Sequence, residues 1–280
     1  MRSAQETQQL AAEILANMRA LLHGRRIRIM EVCGTHTVAI FRAGLRQVLP
    51  EGIELVSGPG CPVCVTADDY IDAAIAYAGM EDVIITTFGD MLKVPGTRSS
   101  LAEAQAQGAD VRIVYSPLDA LAIAADNPAK QVVFLAVGFE TTAPTEAAAV
   151  LAAKEQGLRN FFLLSAQKLV PPVMRALLHG GETHVDGFLL PGHVSVVTGT
   201  EGFDFLARDY SLPGVVGGFQ PLEILRAVDL LVRQIAAGEA RIENAYESVV
   251  RREGNPAARA AMERVYEPAA VRWRGLGTIP

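Results

Sequence analysis

The three cysteines of the chain lie in two short motifs that combine sulfur with glycine, proline and histidine. The first motif, Cys33-Gly34-Thr35-His36, places a thiol and an imidazole three positions apart, directly after an apolar run. If that run is a strand followed by a helix, the positive end of the helix dipole favours the thiolate. A thiolate is both a nucleophile and a soft metal ligand. The alternative is a buried, inert cysteine, but its glycine, threonine and histidine neighbours favour the functional interpretation.

The second motif, Gly58-Pro-Gly60-Cys61-Pro-Val-Cys64, is a C-x-x-C pair in a loop shaped by glycine and proline. The spacing is typical of a dithiol redox pair. It also fits half of a structural zinc site, although a second C-x-x-C is missing. Cys33, His36, Cys61 and Cys64 together would form a Cys3His zinc site. The pattern leaves these interpretations open.

Acids and a further histidine follow other apolar runs. Asp90 lies in Thr86–Asp90, Glu140 in Val137–Thr142, and His193 in Pro191–Gly199. Such groups act as general bases, ion-pair partners or loop caps, and single carboxylates more often have structural roles. No P-loop, nucleophile elbow or H-E-x-x-H motif occurs.

The elements that must position these residues are short strands alternating with helices. The predicted strands are nearly continuous apolar runs, as expected for parallel strands covered on both faces; they are Ile27–Val32, Ile53–Ser57, Val83–Thr87, Val111–Tyr115, Val132–Val137, Phe161–Ser165, Gly187–Leu190 and Gly214–Val216. Segments rich in Ala, Leu and Glu between them predict helices. All the motifs above follow a predicted strand. Because α/β proteins bind ligands at the carboxyl ends of their strands, we expect the motifs to share one face of each sheet.

Two architectures accommodate about eight such units. One is a single (β/α) barrel. The other is α/β with two similar doubly wound, Rossmann-like domains, which we divide into residues 1–126, residues 127–237 and a C-terminal helical segment, 238–280. Within that segment, Arg241–Gly254 and a stretch starting at Asn255 are predicted to be helices, and the final Gly-Thr-Ile-Pro a strand or linker.

Composition narrows the classes of function. The chain has 280 residues, half of them hydrophobic, and a net charge of −6, so it has ample core and no basic excess for binding nucleic acid. Its apolar runs fall short of a membrane span. The N-terminus predicts an amphipathic helix, not a signal peptide. An odd number of cysteines argues against a disulfide framework, and we expect a cytoplasmic protein with no membrane partner.

Together, the motifs resemble those of the HypD family of hydrogenase formation proteins. Five matching segments occur in the family's order: Met30–Thr37, Ser57–Thr66, Thr86–Gly96, Val137–Thr145 and Pro191–Gly199. The resemblance implies two similar α/β domains with parallel sheets, and therefore not a barrel. It also implies a scaffold for nickel–iron hydrogenase maturation, so that classification as a conventional enzyme stays open.

The resemblance also implies roles for individual residues and partners. Members of the family hold iron with a small HypC-type chaperone while CN and CO ligands are installed. A HypE/HypF-type pair donates the cyanide, and the Fe(CN)2CO unit passes to the hydrogenase large subunit. By motif, the residue implied to hold iron is Cys33, and the redox pair is Cys61 and Cys64. The implied supporting residues are Thr35, His36, Gly60, Asp90, Glu140 and His193.

Two departures from the family pattern are evident. Family members usually continue into a cysteine-rich third domain with a 4Fe-4S cluster, whereas this sequence has no cysteine after Cys64. We therefore do not expect this chain to bind that cluster. Gln220 also stands where an acid is expected. Two alternatives to the scaffold remain: a cytoplasmic thiol–disulfide oxidoreductase using Cys61 and Cys64, with Cys33 as a resolving thiol, and a zinc-stabilised binding module.

Overall fold

Two parallel sheets organise the computed structural model, which describes residues 3–181 and 183–279. Its strands are β1 (Ile27–Glu31), β2 (Ile53–Ser57), β3 (Val83–Thr87), β4 (Val111–Ile113), β5 (Gln131–Ala136), β6 (Phe161–Ser165), β7 (Gly187–Pro191), β8 (Gly214–Gly217), β9 (Ile242–Asn244), β10 (Val271–Trp273) and β11 (Gly277–Ile279). Its helices are α1 (Ala4–Leu22), α2 (Gly34–Arg42), α3 (Leu45–Val48), α4 (Asp68–Ala78), α5 (Leu101–Ala106), α6 (Pro117–Asp126), α7 (Ala143–Glu155), α8 (Val170–His179), α9 (Gly192–Thr198), α10 (Asp204–Tyr210), α11 (Pro221–Ala237) and α12 (Pro256–Glu263). The α/β class and the two parallel sheets are confirmed.

The chain divides into two compact units that are discontinuous in sequence. Unit 1 contains the described residues up to Gly60 and from Val173 to Pro256; unit 2 contains Cys61–Pro172 and the described residues from Ala257 onward. The sequential division into 1–126, 127–237 and 238–280 does not follow these units. Its boundary near Asp126 separates β4 from β5, although both belong to the sheet of unit 2. The sheet of unit 1 also crosses this boundary, because β7 pairs with β1.

In unit 1 the strands are parallel in the order β2-β1-β7-β8-β9, which is 2-1-3-4-5 within the unit. This order belongs to doubly wound sheets, and it places the topological switch point between β1 and β7. The core under the sheet joins α1, α11 and the strands, with Met18, Ile29, Leu189, Val215 and Leu231 fully buried.

Unit 2 repeats this order with four parallel strands, β4-β3-β5-β6, or 2-1-3-4 within the unit. Its switch point lies between β3 and β5. Strands β3 and β5 are almost wholly buried, as their continuous apolar runs predict. A two-stranded antiparallel hairpin, β10-β11, adds to this unit, and Trp273 at the end of β10 bridges to Thr66.

The region after α11 differs from its helical prediction. Residues 241–254 are not helical, because Ile242–Asn244 joins the sheet as β9 and pairs with β8. The Asn244 side chain then accepts from the Tyr246 backbone N–H and donates to the Val250 carbonyl, which holds the following turn. The predicted helix after Asn255 is present as α12. The final segment, predicted to be either a strand or a linker, forms the strand β11. Pro280 lies outside the described residues.

Candidate functional site

The sheet of unit 1 presents sequence motifs at the carboxyl ends of its strands. Cys33 follows β1 and is the N-cap residue of α2, with extended backbone (φ −150°, ψ 118°) and no side-chain capping hydrogen bond. Its thiol is free and half-buried. Because β1 borders the switch point, Cys33 occupies the position where doubly wound sheets bind ligands.

Gly60 packs directly against the Cys33 backbone. Its carbonyl accepts a hydrogen bond from the Gly34 N–H at 3.1 Å. A Cβ on Gly60 would lie 2.7 Å from the Cys33 Cα and 2.5 Å from the Gly34 nitrogen, so a side chain there would force the loop to move. Glycine is therefore required by close backbone approach at this position, where it holds the cysteine turn. Thr35, predicted to assist, is exposed on the first turn of α2.

His36 is fully buried in the first turn of α2. Its Nε2–H donates to the Gly218 carbonyl at 3.0 Å, which leaves Nδ1 as a buried acceptor with no hydrogen-bond partner among the described residues. Burial lowers the pKa of His36 to about 4, with His193 adding a smaller effect in the same direction. The imidazole is thus neutral at physiological pH.

Phe219 joins the two motif histidines of unit 1. Its ring stacks on His36 with centroids 4.6 Å apart, and on His193 with centroids 3.9 Å apart. Tyr246 meets the same ring edge-on at 6.2 Å. The Phe219 backbone is held by the Glu223 carboxylate, which accepts from the N–H groups of Phe219 and Gln220. His193 keeps much of its surface exposed, and the partial desolvation of its ring lowers its pKa.

The four aromatic rings follow four neighbouring strands of one sheet: His36 follows β1, His193 follows β7, Phe219 follows β8 and Tyr246 follows β9. Sequence reasoning missed Phe219 and Tyr246. The available signal for Phe219 was its position after Gly217-Gly218, directly beyond a predicted strand. Gln220, noted as a departure from the family pattern, is the N-cap residue of α11 in a capping box with Glu223.

Glu31, at the end of β1, is a second buried group that the sequence did not single out. It is fully buried, and its carboxylate accepts from Thr37 Oγ1 at 2.7 Å and Ser57 Oγ at 2.8 Å, with Arg46 at 3.4 Å. Burial raises its pKa against the lowering effect of these partners. The carboxylate ties β1, α2 and β2 together beneath the Cys33 turn.

In unit 2, Cys61 and Cys64 form a disulfide, with Cα atoms 5.3 Å apart. Cys61 is half-buried and Cys64 is exposed. The segment that follows is fixed by the C-terminal hairpin: the Arg274 N–H donates to the Val65 carbonyl, and its guanidinium donates to the carbonyls of Thr66 and Pro95. The hairpin therefore anchors the disulfide loop and the loop after β3.

The two motif acids of unit 2 follow β3 and β5, on either side of its switch point. Asp90 lies in a single 3-10 turn, Gly89–Met91, and is exposed. Glu140 is 2% exposed. One of its oxygens accepts from the Val170 N–H at 3.0 Å, and the other, Oε2, has no partner among the described residues. Burial raises the pKa of Glu140 to about 7.

The structure brings the predicted residues together in part. His36 and His193 share Phe219, Cys33 contacts Gly60, and Cys61 is bonded to Cys64. Within residues 3–181 and 183–279, no group of three or more His, Cys, Asp or Glu side chains is arranged to hold a metal ion. Cys61 and Cys64 are joined as a disulfide, so they are not free thiolates of the kind that the Cys3His zinc site considered from the sequence would need. None of the described helices has the length and apolar character needed to cross a membrane.

Comparison with known proteins matches nearly the whole chain to one family. The model of the HypD family, described as "Hydrogenase formation hypA family", matches residues 6–280. This chain belongs to the HypD family. The resemblance inferred from the five motifs is confirmed, and hydrogenase formation is the process with which the family is associated.

Individual relatives agree with the family match. The hydrogenase maturation factor HypD of Rhodobacter capsulatus is 48% identical over 273 residues, covering 96% of this chain and 72% of the relative. The factor of the same name from Escherichia coli (strain K12) is 48% identical over 256 residues, which cover 91% of this chain and 69% of the relative. The HypD of Cupriavidus necator is 42% identical over 287 aligned positions, which cover 100% of this chain and 75% of the relative.

Proposed function

We propose that this chain is a scaffold in nickel–iron hydrogenase maturation, which holds iron while CN and CO ligands are installed to form an Fe(CN)2CO unit. In this role, iron is the substrate that the scaffold carries and passes on, not a resident cofactor. Cys33 supplies the thiolate that holds it, and a HypC-type chaperone supplies a second ligand. A HypE/HypF-type pair donates cyanide, and the finished unit passes to the hydrogenase large subunit.

The observation that carries this proposal is the free Cys33 thiol at the switch point of a doubly wound sheet. Its side chain is not engaged as a helix cap, and its backbone is held by Gly34 and Gly60. Soft thiolates suit iron that carries strong-field ligands, and cargo that must be passed on needs few ligands from its carrier. The described residues supply no ready-made three-ligand cluster, which is consistent with a partner completing the site.

Cys61 and Cys64 are proposed as the redox pair of the scaffold. Their disulfide and the exposure of Cys64 support this role, because thiol exchange requires access to a sulfur. Oxidation of the two thiols to the disulfide releases two electrons and two protons. An external thiol or electron donor must return both before another cycle.

The remaining motif residues are proposed to support this chemistry. His36 is held in a single tautomer by the Gly218 carbonyl, and Phe219 fixes it relative to His193. Thr35 and Gly60 shape the Cys33 turn. Asp90, exposed beside the unit 2 switch point, and Glu140 are the proposed acid groups of the second sheet.

Infrared spectroscopy tests the scaffold proposal. The protein is co-purified anaerobically with a HypC-type partner and an active cyanide-donating pair, and spectra are recorded in the cyanide and carbonyl stretching region. We expect bands that disappear in Cys33→Ser, and iron content of the complex that falls with them. Cys64→Ser is the matched control, since it removes a thiol of the redox pair and leaves Cys33 intact.

Retention of the bands in Cys33→Ser, with circular dichroism like that of the unsubstituted protein, would contradict iron holding by Cys33. Bands that are weaker in Cys64→Ser, at unchanged position, would support separate holding and redox roles.

The disulfide favours one second candidate, a thiol–disulfide oxidoreductase that acts without iron. This function predicts turnover of a small disulfide such as oxidised glutathione after reduction of the pair. Cys64→Ser should abolish that turnover. Turnover that is lost in Cys64→Ser and kept in Cys33→Ser, without any infrared bands in the complex, would favour this candidate over the scaffold.

A further inference from the structure

Unit 2 contains a cavity of about 470 Å³ at the carboxyl ends of β5 and β6. One wall comes from the loops after these two strands, and the other from the end of α12 and the segment leading into β10. This volume lies within the range of small-molecule sites, and the carboxyl edge of a doubly wound sheet is where such sites occur. None of the roles proposed above for Cys33, Cys61 or Cys64 uses this cavity.

Glu140 contributes an acid to the cavity wall. Its Oε1 accepts from the Val170 N–H, whereas Oε2 is buried without a hydrogen-bond partner. Gln167, also in the wall, has a buried side-chain oxygen, Oε1, that likewise lacks a partner. Both oxygens are acceptors, so the groups that would satisfy them are N–H or O–H donors. Such unsatisfied buried atoms are uncommon in native proteins, and each calls for an explanation.

Lys168 contributes a base to the same wall and is 4% exposed. Its Nζ donates to the carbonyl of Ala166 at 3.0 Å and lies 5.7 Å from the centre of the Trp273 ring. No carboxylate lies within 4 Å of this ammonium in the described part of the chain; Asp69, which acts on it at longer range, pairs with Arg272. A buried ammonium is normally paired with an anion.

Glu140 and Lys168 therefore line one cavity with opposite charges, yet they are not paired with each other. The remaining lining is largely apolar and includes Ala143, Met262, Val265, Val271 and Trp273. Two further acids of the lining, Glu263 and Glu267, are exposed, unlike Glu140 and Lys168. We propose that this cavity binds a small zwitterionic molecule, an α-amino acid with an apolar side chain. Its ammonium is held by Glu140 and Gln167, its carboxylate by Lys168, and its side chain by the apolar wall.

Other ligand classes satisfy fewer of these groups. A simple anion would leave Glu140 without a counter-charge, and a simple cation would leave Lys168 without one. A hydrocarbon would leave both residues without a counter-charge. The directions of the pKa shifts agree with this accounting: burial raises the pKa of Glu140 to about 7 and lowers that of Lys168 to about 8. Each group is thus displaced toward its neutral form, as expected for a buried charge that lacks its partner.

Isothermal titration calorimetry with three related probes tests the proposal on the whole purified chain. L-Leucine carries both charges, leucinamide lacks the carboxylate, and N-acetyl-leucine lacks the ammonium. We expect L-leucine to bind, and each of the other two to bind at least about tenfold more weakly, because each loses one charge-assisted contact. No hydrogenase component is needed, so failure of this test is separate from failure of the scaffold proposal.

Two variants test which residue binds the ammonium of the probe and which binds its carboxylate. Glu140→Gln should remove the preference for leucine over N-acetyl-leucine, and Lys168→Met the preference for leucine over leucinamide. Lys154→Met, at an exposed lysine of α7, is the matched control and should bind leucine as the unsubstituted protein does. Equal affinity for all three probes would overturn the proposal. So would the absence of binding heat up to about 10 mM with leucine and with phenylalanine, a second amino acid with an apolar side chain that is titrated in the same way. The unsubstituted protein decides between these outcomes even if a variant fails to fold.

Discussion

At the scale of single residues, each unit contains a motif side chain whose hydrogen-bonding capacity is only partly used. His36 donates from Nε2 to a carbonyl and keeps a buried Nδ1 lone pair without a partner among the described residues. Glu140 uses one carboxylate oxygen and leaves the other without one. Buried polar atoms without a hydrogen-bond partner reduce the stability of a fold. Their presence at the carboxyl ends of strands is what a binding site, rather than a core optimised for stability, would require.

The buried imidazole of His36 predicts a dependence of stability on pH. Its pKa falls from 6.5 in the unfolded chain to about 4 in the fold, so the unfolded state binds more protons between these values. The stabilisation is fully present above pH 6.5 and is lost as pH falls toward 4. The full difference is about 3 kcal/mol in the free energy of unfolding.

Urea unfolding at several pH values measures this effect. Between pH 7 and pH 4, His36→Gln should lose about 3 kcal/mol less stability than the unsubstituted protein does. His179→Gln, at an exposed histidine, is the control and should follow the unsubstituted protein. An NMR titration in which His36 takes up its proton above pH 6 would show that the argument is wrong.

At the scale of elements, the loops after the strands determine how the site is held. The Cys33 turn is confined between the start of α2 and the Gly58–Gly60 loop, with backbone atoms in direct contact. Glu31 at the end of β1 fastens the same region through Thr37 and Ser57. The position of the thiol therefore depends on residues that carry no reactive group.

Gly60→Ala tests this dependence. The new Cβ would lie within 2.7 Å of the Cys33 Cα, so the loop has to shift, at a cost of roughly 1–3 kcal/mol in the free energy of unfolding. The rate at which Cys33 reacts with a thiol reagent should change as well, measured with Cys61 and Cys64 kept as the disulfide. Gly180→Ala is the matched control in unit 1, because its nearest contacts would lie at 3.9 Å. Unchanged stability and thiol reactivity in Gly60→Ala would contradict the close packing of this loop.

At the scale of the whole molecule, each unit is assembled from separate stretches of sequence. The chain leaves unit 1 after Gly60, builds the four-stranded sheet of unit 2, and returns with Val173. Strand β1 consequently lies between β2, which is near in sequence, and β7, which is far from it. The core of unit 1 likewise joins α1 to α11.

A chain cut at residue 126 tests this organisation. Fragment 1–126 retains β1 and β2 but lacks β7, β8 and α11, so the apolar faces of α1 and β1 have no partner to pack against. We expect the fragment to show no cooperative thermal transition by circular dichroism, whereas the whole chain shows one. A cooperative transition with dispersed NMR signals from fragment 1–126 would mean that the sequential division describes the folding units after all.

The strands and the family could be predicted from sequence because both depend on local features. Nearly continuous apolar runs predicted eight strands, from β1 to β8, within one or two residues of their positions. The pattern is clearest in central strands such as β5 and β7, which are covered on both faces. The motifs identified the family because each is long and they occur in a characteristic order. Strand β9 was predicted to be helical and β10 was not predicted, whereas β11 lies in the segment predicted to be a strand or linker. Each of these strands has three residues; β4 is equally short, but it begins the longer run Val111–Tyr115 that the sequence shows.

The α/β class, the family and the position of the candidate residues after strands thus follow from residue types and their order along the chain. The tertiary structure alone decided which strands share a sheet, because pairing such as that of β1 with β7 joins residues more than 150 positions apart. It also decided that Phe219 lies against both His36 and His193, and that Glu140 and Lys168 line one cavity. These contacts depend on distances through space, which neither residue type nor spacing along the chain encodes.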